Sequence, residues 1–144
     1  MGASIVPNRD ERIMAAICHA SIVLEPIGLV IPLIIWINQK DKSRYIAFQA
    51  LQAVAFQLAR LIGAFIGIGC YLVVGIAAIF LATPSGVPIP GRFPSEMLPP
   101  LVIAGIIILF AIGTFIYAIV GTGMTLFGKD FRYILIGGWV EQFM

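Results

Sequence analysis

Few side chains in this chain could do chemistry, and the most distinctive is its only histidine, His19. It lies in an apolar run beside Cys18. A histidine in such a run can ligate haem iron or the magnesium of a chlorophyll-type pigment, and it can take part in proton transfer. More often it makes a single hydrogen bond between helices. We therefore expect no cofactor, with haem or pigment ligation by His19 as the alternative.

Glu25 and Arg60 are the charged residues that lie well inside apolar stretches. Each would cost roughly 2.5 to 3.5 kcal/mol at the centre of a membrane helix. Both lie equally far from the basic loop around Lys42, so a helical pair that reverses there brings them to similar depth. This spacing predicts a buried ion pair. The alternative is local, because Pro26 can begin a helix whose positive end holds the Glu25 carboxylate.

A polar stripe marks one face of the next predicted helix. At 100° per residue its four members fall within an arc of about 140°. Three interpretations remain open: an amphipathic start at the membrane interface, the lining of a polar conduit, or a docking face for another subunit. The members of the stripe are Gln49, Gln52, Gln57 and Arg60.

The chain carries no recognisable catalytic or metal-binding motif. There is no G-x-S-x-G, H-E-x-x-H or P-loop pattern, and Cys18 and Cys70 do not form a ligand cluster or a disulfide framework. We expect a protein that is not an enzyme and that binds no metal.

Composition indicates where such a chain resides. Of its 144 residues 60% are hydrophobic and only 11% are charged, and the mean hydropathy is +1.04. These values are typical of an integral membrane protein and exclude most soluble enzyme folds. A net charge of +2 is too small and too dispersed for a nucleic-acid surface.

The apolar runs predict an all-α, polytopic membrane protein that forms a single membrane domain over residues 1–144. Two uncharged runs exceed the roughly 20 residues that span a bilayer, and a Pro/Gly-rich segment separates them. The predicted segments are a kinked or re-entrant helical hairpin (12–38), a long helix with the second span (45–82), the Pro/Gly loop (83–97), the last span (98–128) and an interfacial tail (129–144).

Charge placement favours the re-entrant hairpin over a single kinked span. A hairpin puts seven of the eight flanking Lys and Arg residues on one side, whereas a single span splits them three against five. Cytoplasmic flanks are enriched in these residues. We therefore expect a multi-pass protein of the bacterial cytoplasmic membrane with both termini in the cytoplasm.

Small residues recur at the four-residue spacing that lets membrane helices approach closely. Packing within the chain explains them most simply, and contact with a neighbouring protein is the alternative. They are Gly63 and Gly67 in the second span, and Thr114, Ala118 and Thr122 in the last.

The order of several short motifs resembles a bacterial membrane family. They are Asp10-Glu11-Arg12, Cys18-His19-Ala20-Ser21, Pro32 to Trp36, Lys40 to Ser43, Ala47 to Gln52 and Gly128 to Tyr133. In this order they are similar to the domain-of-unknown-function 4870 family and to the Tic-twenty proteins of chloroplast import. The resemblance implies four membrane segments and no settled activity, and a translocation role would follow only by analogy with the plastid relatives.

The sequence thus favours a small non-enzymatic membrane protein that acts as an accessory or scaffold subunit of a larger complex. Its expected partners are the lipid bilayer and other integral membrane proteins. The alternatives are a conduit or protein-translocation component lined by Glu25 and the polar stripe, and a pigment- or haem-binding subunit that uses His19.

Overall fold

The structure is a computed structural model, and it describes residues 7–24, 26–82 and 95–142. Most of these residues lie in helices, and there is no strand among them. Short 3₁₀ helices occupy Ser21–Leu24, Ile27–Leu29 and Ser95–Met97. The α-helices are α1 (Arg9–Ala20), α2 (Val30–Gln39), α3 (Arg44–Ala82), α4 (Leu98–Leu126) and α5 (Gly137–Glu141).

The helices α3 and α4 are long and apolar enough, by length and composition, to cross a membrane. They contain 39 and 29 residues, so at 1.5 Å per residue they are about 58 and 44 Å long. Both exceed the hydrocarbon thickness of about 30 Å. Residues 83–94 of the predicted Pro/Gly loop lie outside the described residues. The last three residues of that loop, Ser95–Met97, form the 3₁₀ helix that precedes α4.

The chain divides into two compact units. The first unit comprises Met1–Leu61 with Thr114–Met144, and the second comprises Ile62–Gly113. The first unit contains the buried polar side chains, so it holds the candidate site.

Helices α1 and α2 form an antiparallel hairpin in the first unit. Asn8 and Glu11 form a reciprocal capping box that begins α1, and α2 returns so that Gln39 Nε2 lies 3.7 Å from Met14 Sδ. The Glu11 carboxylate also accepts a hydrogen bond from the Ser43 hydroxyl at 2.6 Å. Together with the Asn8 backbone N–H, that bond lowers the pKa of Glu11.

The reversal between α1 and α2 depends on a glycine. A Cβ atom at Gly28 would lie 1.9 Å from the carbonyl oxygen of Ser21. The two 3₁₀ helices therefore approach more closely than any side chain at position 28 would allow.

Small side chains let α3 pack closely against this hairpin. Ala50 and Ala53 are buried and contact Cys18 of α1, with Ile35 and Trp36 of α2 packed around them. Their three-residue spacing puts both alanines on one face of α3.

In the second unit, glycines of α3 receive bulky side chains of α4. A Cβ atom at Gly63 would lie 3.0 Å from the Phe110 ring, and one at Gly67 would lie 3.1 Å from Ile107. These two glycines therefore serve close packing between helices of the same chain.

Helix α4 ends in a Schellman motif that turns the chain back. Gly128 has a positive φ of 72°, its N–H donates to the Thr125 carbonyl, and the N–H of Lys129 donates to the Met124 carbonyl. The segment that follows, residues 129–142, is called the tail below. It folds back against α1, α3 and α4 and ends with α5.

Replacing Gly28 by Ala should destabilise the protein, because the new methyl group must push the Ser21 carbonyl away and disturb the hairpin. We expect a loss of about 1 to 3 kcal/mol in the free energy of unfolding, measured by denaturation in detergent. Gly69→Ala is the matched control, because nothing lies within 4 Å of a Cβ there. Equal stability of the two variants would contradict the close approach.

Candidate functional site

The three glutamines of the polar stripe are among the most buried residues of the chain. Gln49 and Gln52 are 0% exposed and Gln57 is 2% exposed. Buried amides are costly unless they are hydrogen-bonded. Each of these glutamines donates to a protein group, and together with His19 and Tyr133 they form what is called here the polar network.

Gln49 connects α3 to the tail and to α1. Its Nε2 donates to the carbonyl oxygen of Phe131 at 3.1 Å and to Asp130 Oδ1 at 3.2 Å. These two acceptors orient the amide so that Oε1 faces His19 Nε2, 3.1 Å away.

The protonation of His19 follows from that orientation. Because the amide oxygen of Gln49 can only accept, Nε2 of the imidazole carries the proton and donates. Nδ1 is then the acceptor, and the Tyr133 hydroxyl, 3.0 Å away, donates to it. The ring is thus a neutral tautomer with both nitrogens occupied by protein partners.

Gln52 holds the backbone of the tail at two points. Its Nε2 donates to the Phe131 carbonyl at 3.1 Å, and its Oε1 accepts from the Tyr133 N–H at 3.0 Å. A primary amide has the same donor and acceptor as a peptide group, so Gln52 replaces the neighbouring strand or helical turn that this extended stretch lacks.

Gln57 connects α3 to the end of α1. Its Nε2 lies 3.0 Å from the Ser21 hydroxyl oxygen, which accepts the hydrogen bond, and Ser21 in turn donates to the Cys18 carbonyl at 2.8 Å. The same Gln57 nitrogen lies 3.5 Å from that carbonyl. Polar groups at the helix end are thereby satisfied within the protein.

Aromatic side chains surround the polar network. Tyr133 stacks on Phe56 of α3, with ring centroids 4.1 Å apart, and makes edge contacts with Phe131 and Tyr117. Phe131 fits against α4, where a Cβ atom at Gly121 would lie 2.8 Å from its ring. Each such pair contributes about 0.5 to 1.5 kcal/mol beyond the area it buries.

Of the three small residues predicted on α4, Ala118 meets the tail of the same chain. Ala118 is buried in the cluster that contains Phe131 and Tyr133. Thr122 donates its hydroxyl hydrogen bond to the Ala118 carbonyl at 3.0 Å, and Thr114 lies one turn before Ala118 on α4.

The predicted ion pair lies outside the described residues, because Glu25 is not among them. Arg60 lies on α3 one turn beyond Gln57 and is partly exposed.

Sequence reasoning did not identify the partners of the stripe. Tyr133 and Phe131 were expected at the membrane interface, and Tyr117 and Ser21 were assigned no role. A signal is nevertheless present, because a glycine followed by alternating aromatic residues is typical of an extended segment with one buried face.

The arrangement of the polar network is that of a structural clamp. Ligation of a haem or pigment by His19 would require one of its two hydrogen bonds to break, and Gln49 and Gln52 bond to protein groups through both amide atoms. What the geometry does is hold residues 129–136, the non-helical part of the tail, against α1, α3 and α4.

The fold and the polar network define an all-helical protein with two helices long and apolar enough to cross a membrane, and a C-terminal segment fixed by buried amides. The family model of the magnetosome magnetite crystal formation proteins, MamF/MmsF, matches residues 10–140. The chain belongs to this family. No curated protein and no solved structure matches it.

This match overturns the resemblance drawn from short motifs. The assignment to the domain-of-unknown-function 4870 family and the likeness to Tic-twenty proteins were wrong. The physical reason is that aliphatic runs ending in Trp, lysine-rich loops and aromatic residues near basic ones suit any membrane–water boundary. Such motifs indicate a membrane environment and discriminate poorly between families.

Replacing Gln52 by Ala should release the tail. The Tyr133 N–H would lose its acceptor and the Phe131 carbonyl one of its two donors, so we expect a loss of roughly 2 to 3 kcal/mol in unfolding free energy. Limited proteolysis should also cleave the tail faster than in the wild type.

Asn38→Ala is the matched control, because Asn38 is exposed and its amide donates to the Ile34 carbonyl of its own helix. A tail equally resistant to protease in Gln52→Ala and Asn38→Ala would contradict the clamp.

Proposed function

We propose that this chain is a small, non-enzymatic integral membrane protein that acts as an accessory subunit in magnetite crystal formation. The observation that carries the proposal is the family match over residues 10–140. The two long apolar helices support residence in a membrane. The magnetosome membrane, which derives from the inner membrane, is the site that the family description suggests.

The exposed surface supports a role in association with lipid and other membrane proteins. Large apolar side chains are exposed along α3 and α4, among them Phe65, Val73, Leu109 and Ile116. Soluble monomers rarely expose contiguous apolar patches of this kind. In the proposed arrangement lipid covers most of this surface, and other integral membrane proteins of the complex cover the rest.

We propose the membrane orientation that the charge pattern of the sequence favours, with both termini in the cytoplasm. The exposed Lys40, Lys42 and Arg44 precede and begin α3, and Lys129 follows α4 near the same end, where the Tyr45 hydroxyl lies 3.5 Å from its carbonyl oxygen. A basic rim of this kind belongs on the cytoplasmic side.

Deletion of the gene in a magnetite-forming bacterium that carries it should change the size distribution of the magnetite crystals, measured by electron microscopy. Wild-type protein and Asn38→Ala should restore the distribution, and Gln52→Ala, with its tail released, should restore it only in part. Crystals that are indistinguishable between the deleted and parent strains would contradict the proposal.

Purification from native membranes in mild detergent tests the accessory role separately. Mass spectrometry should find other magnetosome membrane proteins in fixed ratio with this chain, and the absorption spectrum should show no visible or near-infrared band. Recovery of the protein alone would contradict the accessory role, and a visible band lost in His19→Ala would indicate a pigment or haem subunit instead.

A further inference from the structure

Two large apolar residues in the middle of the tail, Ile134 and Leu135, are exposed and form what is called its tip. Ile134 is 86% exposed and Leu135 is 90% exposed, while Phe131 and Tyr133, on the other face, are buried. The segment therefore has one face fixed to the protein and an outer face on which Arg132, ion-paired with Asp130 and Glu141, is followed by the apolar Ile134 and Leu135.

The tip lies well away from the charged end of the helices. The Ile134 N–H donates to the Tyr117 hydroxyl, and Tyr117 lies nine residues before the end of α4, about 13 Å along the axis. On α3, Phe56 stacks on Tyr133 and lies twelve residues after Arg44, about 18 Å along that helix. Two helices thus place the tip more than two turns from the basic rim.

The surfaces of α2 and α4 are also apolar beyond the basic rim. Ile116 and Ile119 of α4 are 55% and 53% exposed, and Leu33 and Ile34 of α2 are 39% and 52% exposed. The tip of the tail continues this belt, and the basic residues stand at its edge. A water-exposed position for such a belt is unfavourable.

Several backbone groups of the tail are hydrogen-bonded within the protein, as an environment without water requires. The Phe131 carbonyl accepts from Gln49 and Gln52, and the Tyr133 N–H donates to Gln52. The N–H groups of Ile136 and Gly137 donate to the Tyr133 carbonyl. Non-helical backbone at membrane depth is tolerated only where protein satisfies it in this way.

We propose that the tail is a re-entrant membrane segment that inserts Ile134 and Leu135 among the lipid acyl chains, with Gln49 and Gln52 serving to satisfy its backbone. This proposal differs from the interfacial position expected from the sequence. The inference rests on the membrane insertion of α4 that is part of the proposed function.

Spin labelling of the full chain in liposomes tests the depth of the tip. In a Cys70→Ser background, which retains the buried Cys18, single cysteines replace Leu135, Ile119 and Lys129, and each is labelled with a nitroxide. The liposomes contain phosphatidylethanolamine and phosphatidylglycerol. Collision rates with oxygen, which partitions into hydrocarbon, and with a water-soluble nickel chelate are measured by electron paramagnetic resonance.

The ratio of oxygen to nickel accessibility at Leu135→Cys should match that at Ile119→Cys and exceed that at Lys129→Cys severalfold. A ratio at Leu135→Cys as low as at Lys129→Cys, with a high ratio at Ile119→Cys, would overturn the re-entrant tail and leave membrane insertion intact. Low ratios at all three sites would overturn membrane insertion itself. Low collision rates of Leu135→Cys with both reagents would mean that another protein copy covers the tip, which also overturns the proposal.

Discussion

The structure of the first unit depends on buried side-chain amides that bond to an extended backbone in apolar surroundings. A peptide group in such surroundings loses several kcal/mol if it has no partner. Gln52 supplies both a donor and an acceptor to the tail, and Gln49 supplies a second donor and fixes His19. Two members of the polar stripe, Gln49 and Gln52, are therefore explained by what the backbone of the tail requires, and Gln57 by the polar groups at the end of α1.

The need to hold the backbone of the tail against its hydrogen-bond partners also explains the aromatic and glycine residues around the polar network. Tyr133 fills the space between α3 and α4 while its hydroxyl satisfies His19. Gly121 makes room for the Phe131 ring, and Gly128 provides the positive φ that turns the chain back towards it. A change at any of these positions would move the tail away from its hydrogen-bond partners.

Much of the fold could be predicted, because it follows from the length of the apolar runs and from the helical spacing of the polar residues. The uncharged runs predicted the two long apolar helices, and the spacing of the glutamines placed them on one face of α3. The partners of that face could not be predicted, because the tail lies about 80 residues away in sequence and its extended backbone has no helical period. The family could not be identified from short motifs either, since membrane boundaries impose similar residues on unrelated chains.

Amide hydrogen exchange of the purified protein in lipid nanodiscs tests the central claim most directly. If buried amides hold the tail, the N–H of Tyr133 should exchange as slowly as amides in the middle of α3 and should become fast in Gln52→Ala. Fast exchange of the Tyr133 N–H in the wild type, at the rate of an unprotected peptide, would contradict the account.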